Sequence, residues 1–551
     1  MEPGGVDGWG SNDGWGSNDG WGSNDGWGSD VVVEEVLGHP CRVHARRPRH
    51  LRELLALGAR HGDGVHLVQG EVRLSFAELV GAADRVAARL RTAGARPGDP
   101  VMLSGANSLA WVVTFWACLC NDWILIPANA WWSAEEVEHA VRLVDVRLVV
   151  ADSRRRERMP SDLTVLDLET ILDGPAGEPP ARGDVRPMGA EDDPAMVLFT
   201  SGTTSFPRGA VLSHRGLLAN LQNLLALARR LPGPEESTRS AGVTLMTMPL
   251  FHIGGIQQLF TALVSGAKLV FLDDRFSPGQ VLRLIGDEGV TSWAAVPTMV
   301  SRVLDTYEAD PSAYDVSSLR AMVIGGSPVV ESLRNRAREV FPNTARGQGA
   351  SYGLTEIAGV AATAAGRAVA ERPGTVGQAL PTVDLRIDAP DGDGIGEVQV
   401  RSPGAMIGYW GAPDDPIFTP DRWLRTGDLG RLDGEGYLYI EGRAKDVVIR
   451  GGENIAPLRV EDRLLEHPCV AEAAVVGLPH AELGEEVAAA VVLYPDVKVD
   501  EAELASFVAE RLAYFAVPTA WWFVAELPQN AAGKVLKKQI AAGWPARTPA
   551  V

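Results

Sequence analysis

The chain has 551 residues, 46% hydrophobic and 22% charged, with a formal net charge of −20; this is the balance of a globular protein in water, and its length predicts two or three domains. The acidic balance speaks against non-specific binding to nucleic acid or anionic lipid, so an anionic substrate has to meet positive charge supplied by individual residues. The longest apolar run, residues 109–120, is too short to span a bilayer, no export signal opens the chain, and Cys41, Cys118, Cys120 and Cys469 lack metal-ligand spacing, which together predict a cytoplasmic protein with neither a disulfide frame nor a zinc site.

Residues 7–30 repeat DGWGSN with period six, too polar and glycine-rich to bury a core, and residues 1–30 are expected to be a disordered tail. Calcium-binding turn repeats have a period of about nine with regular apolar positions, which this tract lacks. From Leu51 onward apolar strands alternate with helical patterns: VMLS (101–104), a helix near 108–120, ILIP (124–127) and LVVA (148–151). TLMTMPL (244–250), KLVFL (268–272), TSWAAVP (291–297) and AMVIGG (321–326) continue the alternation. This predicts an α/β fold with largely parallel stacked sheets. After Ala379 short strands and turns (DLRI, GEVQV, GYLYI) predict a barrel-like or antiparallel section. Past Arg443 a small α+β unit is expected, with helices near 459–466 and 501–513 and strands near 470–477, 487–493 and 521–524; the domains are therefore placed at 31–442 and 443–551.

Five strings carry chemistry. TSGTTSFPRG (200–209) packs hydroxyls, flexible backbone and the cation of Arg208 into one loop, as polyphosphate oxygens require. Its glycine spacing is not that of a Walker A loop. The run AMVLF before it and the helical pattern of 213–229 after it predict a strand–loop–helix anion site. SYGLTE (351–356) ends in Thr355 and Glu356, hydroxyl and carboxylate, a donor pair suited to Mg²⁺ against phosphate oxygens. WLRTGDLG (423–430) offers Asp428 to ribose hydroxyls, GRAKD (442–446) offers Arg443 to ribose or phosphate, and LPQNAAGKV (527–535) puts Lys534 after a glycine on a loop that can swing in.

In this order, over about residues 50–540, the strings resemble the adenylate-forming superfamily of acyl-CoA synthetases, adenylation domains and luciferases. The resemblance implies that a carboxylate attacks the α-phosphate of ATP, giving acyl-adenylate and pyrophosphate, and that a thiol then displaces AMP. It implies that Thr200, Ser201, Gly202, Thr203, Thr204 and Arg208 surround the β/γ-phosphates, that Thr355 touches the α-phosphate and that Glu356 holds Mg²⁺. Gly325, Gly326 and Ser327 would line the adenine and acyl pockets, Tyr352 would stack on adenine, and Asp428 and Arg443 would bind ribose. Lys534 would bridge the reacting carboxylate and α-phosphate, where its charge counts as negative charge builds. Lys445 matches the hinge of a mobile small domain, Gly452 and Glu453 the passage for the pantetheine arm of coenzyme A, and His252 with Gly254 the gate of the acyl pocket. The chain departs from the family pattern at Ser205 (usually Gly), Arg208 (usually Lys), Arg422 (usually Gly) and Ala456 (often aromatic).

The implied activity is an acid–CoA ligase for a fatty or otherwise apolar carboxylic acid, since PLFHIGG (249–255) has no Asp to hold an α-amino group. An enzyme loading a carrier protein uses the same motifs. From another class, GASYG (349–353) fits the G-x-S-x-G elbow of a serine esterase, with Ser351 as nucleophile and His467 or His480 downstream, although no hydrophobic strand precedes it.

Overall fold

Four-residue apolar runs bounded by turn residues form the centre of the first sheet. ILIP and LVVA are buried at every position, as parallel strands covered on both faces must be. In this computed structural model the chain is described at residues 27–173, 189–200, 206–233, 242–273, 275–325, 331–344, 349–495, 497–529 and 535–545, without the side chains of 331, 332 and 454. The first sheet has seven strands, with Pro100–Ser104, Ile124–Pro127, Leu148–Ala151, Thr164–Asp167 and Pro194–Thr200 parallel and Arg208–Ser213 and Gly408–Tyr409 closing one side antiparallel. A second sheet of six strands carries Val65–Gln69, Lys268–Phe271, Val243–Met246, Ser292–Ala295 and Ala321–Ile324 in parallel, with Val72–Ser75 antiparallel at its edge. The helices Leu109–Leu119 and Ile253–Ser265 meet between these layers, where Phe115 and Trp116 pack on Phe260 at ring separations of 5.8 and 5.7 Å.

The third sheet has seven antiparallel strands in the order Gly349–Leu354, Gly359–Ala365, Thr375–Ala379, Tyr437–Arg443, Leu424–Leu432, Gly396–Arg401 and Asp384–Asp388. It begins at Gly349 rather than after Ala379, because GASYGL and GVAATAA, rich in Gly and Ala, carry little intrinsic strand preference and are held by their pairing. The smaller C-terminal domain has a five-stranded sheet of Val448–Arg450, Glu453–Ile455, Val470–His480, Gly484–Leu493 and Ala520–Phe523. Helices Pro457–Leu465 and Glu501–Ala509 cover it, and Val460, Leu464, Val475, Val487, Leu504 and Val508 form a core of its own. The fold is thus the expected large α/β unit with an antiparallel section, followed by a small α+β domain.

Residues 27–30, at the end of the repeat, are held against the body. Trp27 packs on the main core, the Gly28 carbonyl accepts from Gln222 Nε2 at 2.8 Å, and the Asp30 carbonyl accepts from the Ala45 amide at 2.8 Å. The Trp27 indole finds an apolar surface and the carbonyls of Gly28 and Asp30 find donors; residues 1–26, where the rest of the expected tail falls, lie outside the described residues. Among the described residues, no helix is long and apolar enough to cross a membrane.

Candidate active site

The phosphate-loop string joins two antiparallel strands. Thr200 pairs with Arg208 across it, and the helix His214–Leu227 starts only after the strand Arg208–Ser213. The expected strand–loop–helix order is therefore corrected. The run GAVLS is buried and adds a strand to the sheet, with Gly209 needed for close approach, since a Cβ there would stand 2.7 Å from Val197 Cγ1. The helix N-terminus is capped by its own Ser213, whose Oγ accepts from the Gly216 amide at 3.0 Å. Ser201, Gly202, Thr203, Thr204 and Ser205 lie outside the described residues, as do Gly326, Ser327 and Lys534.

At the end of the loop, the Arg208 guanidinium lies 3.5 Å from the centre of the Tyr409 ring and forms an ion pair with Asp415. The Tyr409 hydroxyl donates to Glu356 Oε1 at 2.8 Å. Thr355 and Glu356 sit in the single 3-10 turn Thr355–Ile357, which follows the strand Gly349–Leu354 and closes at Ala358 with φ +56°. The Glu356 backbone carbonyl accepts from the Met406 amide at 2.8 Å, tying the turn to the segment that carries Tyr409. Burial and the Glu356 carboxylate push the Tyr409 hydroxyl well above its ordinary pKa, so it stays protonated and donates. Tyr409 and Asp415 gave no signal in the sequence, because nothing there shows that residues 409–415 return beside residue 208.

The strand Gly349–Leu354 that leads into this turn also carries the second group. Tyr352 Oη donates to Asp428 Oδ2 at 2.6 Å, and Arg443 Nε pairs with Asp428 Oδ1 at 2.7 Å, the latter two residues being cross-strand partners. Asp428 is 4% exposed, and its amide donates to Thr426 Oγ1 at 3.1 Å across the tight corner made by Gly427 at φ +69°. Burial and the neighbouring Asp428 carboxylate push the Tyr352 hydroxyl far up. The Tyr352 ring is itself buried, so sequence alone read its likeness to an adenine-stacking position and missed that its hydroxyl is committed to Asp428. Gly325 follows the strand Ala321–Ile324, and among the described residues no atom lies within 4 Å of where its Cβ would be.

His252 precedes the helix Ile253–Ser265, and its carbonyl accepts from the amides of Gly255 and Ile256. Desolvation lowers its imidazole to about 4, so the ring is neutral near pH 7. It lies against Phe251 (4.5 Å between centres), which in turn packs edge-on against the half-exposed Trp131 at 5.1 Å. Trp131, in the loop string NAWWS, was not singled out in the sequence, though an exposed Trp in a loop is a usable signal. Gly255 is the sterically required glycine, since a Cβ there would be 2.4 Å from the Pro249 carbonyl oxygen, whereas Gly254 is exposed and would meet only Met248 Cε at 3.8 Å.

Lys445 lies in a 3-10 turn between the strand Tyr437–Arg443 of the third sheet and the strand Val448–Arg450 of the small domain, and its ammonium is held below its ordinary pKa by partial burial and by Arg443. Gly451 (φ +61°) and Gly452 (φ +92°) form the two-residue turn of the hairpin that pairs Arg450 with Glu453, the mirror-image turn that demands positive φ at both positions. Among the described residues, no atom lies within 4 Å of where a Gly452 Cβ would be. At the departure noted in the ribose string, Arg422 takes φ +60°, the conformation for which glycine is the easy choice, and donates to the Met406 and Ile407 carbonyls at 3.1 and 3.0 Å.

Ser351 lies within a paired strand rather than at a strand-to-helix elbow. His467 and His480 accept from nearby backbone amides of the small domain, and the esterase reading has no support in this geometry. His50, Asp122 and His214 form the one cluster of possible metal ligands among the described residues, but His50 Nε2 is bonded to Asp122 at 2.7 Å and Arg52 already pairs with that carboxylate at 2.7 Å. A divalent ion beside Arg52 would leave an uncompensated positive charge, so the cluster reads as a packing device.

The AMP-binding enzyme family matches residues 56–410, and the AMP-binding enzyme C-terminal domain matches residues 459–534. The chain is 33% identical over 482 residues to a feruloyl-CoA synthase of Amycolatopsis sp, covering 86% of this chain and 94% of that protein. It is 33% identical over 519 residues to the fatty acid–[acyl-carrier-protein] ligase ScoC of Streptomyces coeruleorubidus, covering 91% and 97%. Among solved structures, O-succinylbenzoate coenzyme A synthetase of Bacillus subtilis in complex with ATP and magnesium ion superposes with a TM-score of 0.74 at 28% identity, covering 88% of this chain and 98% of that one. The chain belongs to the AMP-binding enzyme family, within the adenylate-forming superfamily, whose acid–thiol ligases it matches over most of its length.

Proposed function

We propose that the enzyme activates an apolar carboxylic acid with ATP and passes the acyl group to coenzyme A. One observation carries the reading: Tyr352 and Glu356 stand on one strand–turn segment, so the group around Asp428 and the group around Arg208 are held at a fixed spacing on a single run of backbone. A nucleotide needs both, one for its ribose and one for its phosphates.

In this reading Asp428 accepts hydrogen bonds from the ribose hydroxyls, with Arg443 beside it, while Arg208 and the 200–205 loop hold the β/γ-phosphates. Gly325, Gly326 and Ser327 border the adenine and acyl pockets. Glu356 and the Thr355 hydroxyl are hard oxygen donors that fit Mg²⁺. When bound, that ion neutralises charge on the phosphate oxygens. Lys534 meets the acid carboxylate and the α-phosphate as the carboxylate oxygen bonds to phosphorus and pyrophosphate leaves. The small domain then turns about Lys445, Gly452 and Glu453 admit the thiol, and sulfur bonds to the acyl carbon as AMP departs. The neutral His252, with Phe251, Trp131 and Gly254, offers the acid an apolar, partly aromatic wall.

The test is AMP release from ATP over a panel of fatty, aryl and amino acids with free coenzyme A. Fast release is expected for apolar acids. Formation of ADP, or a rate indifferent to coenzyme A, would overturn the reading. The similarity to a carrier-protein ligase supports a second reading, in which the thiol sits on a carrier protein; acyl-adenylate would then form while free coenzyme A fails to consume it.

A further inference from the structure

The contacts at the head of the phosphate loop form one connected unit, and its hub is a residue outside the motifs. The Tyr409 ring carries the Arg208 guanidinium at 3.5 Å, and its hydroxyl holds Glu356 Oε1 at 2.8 Å. Asp415 holds the other side of the guanidinium, and its own Oδ1 is fixed by the Ile417 amide at 3.1 Å. Tyr409 is set by backbone: it pairs with Ala210, and the Trp410 amide donates to the Gly209 carbonyl at 2.8 Å. The ring is therefore registered directly against the strand that starts at Arg208.

We propose that Tyr409 is a positioning residue that couples the phosphate-loop cation to the metal-holding carboxylate, with Asp415 as the second support of Arg208. The inference rests on the reading of Glu356 as the Mg²⁺ residue and Arg208 as the phosphate cation. A guanidinium is planar, and a π face plus a carboxylate at its edge fix both its plane and its rotation, which a compact ammonium would not need. A hydroxyl committed to one oxygen of Glu356 fixes the rotation of the carboxylate and leaves the second oxygen as the ligand, as partners of metal-ligating carboxylates do. Through the one rigid ring, the distance between the cation and the metal carboxylate is set before nucleotide arrives. Both would serve one polyphosphate, so that distance matters.

The experiment compares Tyr409→Phe, Glu356→Gln, the double variant and Asp415→Asn in the full-length enzyme, measuring half-saturating Mg²⁺, KM for ATP, kcat and melting temperature. Tyr409→Phe keeps the ring under Arg208 and removes only the hydroxyl. It is expected to raise half-saturating Mg²⁺ or lower kcat by about 10- to 100-fold, the range seen for outer-shell partners of metal ligands, with the melting temperature little changed. In the Glu356→Gln background the same change should add nothing, because the hydroxyl then has no carboxylate to hold. Asp415→Asn should raise the KM for ATP with little effect on half-saturating Mg²⁺. Unchanged Mg²⁺ and ATP dependence in Tyr409→Phe while Glu356→Gln shifts Mg²⁺ dependence strongly would overturn the coupling and leave the active-site reading intact. Multiplying effects in the double variant would place the hydroxyl's action elsewhere and also overturn it. Should Glu356→Gln itself leave Mg²⁺ dependence unaltered, both the coupling and the underlying assignment fall.

Discussion

The two ends of the proposed nucleotide site use the same three chemical parts, a tyrosine hydroxyl, a carboxylate and an arginine, and connect them differently. At the ribose end Tyr352 and Arg443 share one carboxylate, Asp428, which is almost wholly buried. At the phosphate end Tyr409 and Arg208 divide two carboxylates between them, Glu356 and Asp415, in a half-exposed setting. Loss of that carboxylate would leave the buried Tyr352 hydroxyl without the acceptor it now uses, so the proposed ribose end has a structural role whatever it binds. With its charges spread over two carboxylates and more water, the phosphate end holds cation and carboxylate in register on one ring while staying open to solvent. The first end is closed around one carboxylate and the second is open around two.

The largest expected effect is at the phosphate end. Glu356→Gln removes one negative charge while keeping shape and the backbone contact to Met406, so folding should be retained. The adenylation rate is expected to fall on the order of 10² to 10³, as for other single charge contacts made at a transition state. Pyrophosphate exchange with ATP at varied Mg²⁺ reads it out. A variant as active as the parent would break the functional half of the comparison.

Removing the corresponding carboxylate at the ribose end should behave differently. Asp428→Ala leaves the buried Tyr352 hydroxyl without its acceptor, which costs about 1–3 kcal/mol, and the KM for ATP should rise in parallel. Asp415→Ala, at a half-exposed pair whose guanidinium keeps the Tyr409 ring, is expected to cost less, about 1 kcal/mol of stability. Denaturant unfolding of the two variants decides the matter. Equal losses would show that the ends do not differ in structural role.

Much of this was legible in the sequence because the motifs are local. Thr355, Glu356, Asp428 and Arg443 each sit in a short string whose chemistry can be read without knowing the fold, and the buried runs VMLS, ILIP and LVVA became strands with nearly the expected bounds. What could not be read depends on contacts between distant segments. Tyr409 reaches Glu356 only because residues 406–410 run beside the strand Arg208–Ser213, and that strand was itself hidden, its run GAVLS being too short to separate from the helix that follows. Trp27 was assigned to a tail on composition, which cannot register that one of four equivalent indoles meets an apolar surface.

The small domain sharpens the comparison from a third position, because neither end should depend on it in the same way. Gly452→Leu would fill the proposed thiol passage but would also strain a turn that needs φ +92°, so the smaller Gly452→Ala is the better probe. The left-handed conformation should cost about 1–2 kcal/mol for a residue with a Cβ, confined to the Gly451–Gly452 turn of the hairpin. Thioester formation from supplied acyl-adenylate is expected to slow, with pyrophosphate exchange preserved. Loss of both half-reactions together, with the protein folded, would mean that the turn belongs to the adenylation site.

The smallest effect sets the baseline for all of these, and it comes from the amino terminus. Removing residues 1–26 is expected to leave melting temperature and rate unchanged, since the repeat is too polar to bury a core. Removing residues 1–30 also takes away Trp27, the carbonyl bonds to Gln222 and Ala45, and the cover over Arg46, whose side chain stands 2.9 Å from where a Gly28 Cβ would be. An indole only partly buried contributes about 1 kcal/mol on an area basis, so the longer truncation should melt a few degrees lower at unchanged KM for ATP. The single substitution Trp27→Ala in the full-length chain separates the indole from the backbone bonds and should reproduce most of that loss. If the 1–26 truncation is as destabilised as the 1–30 truncation, the earlier repeat units also pack on the body, and the stability differences assigned to Asp428 and Asp415 would have to be measured against that larger contact.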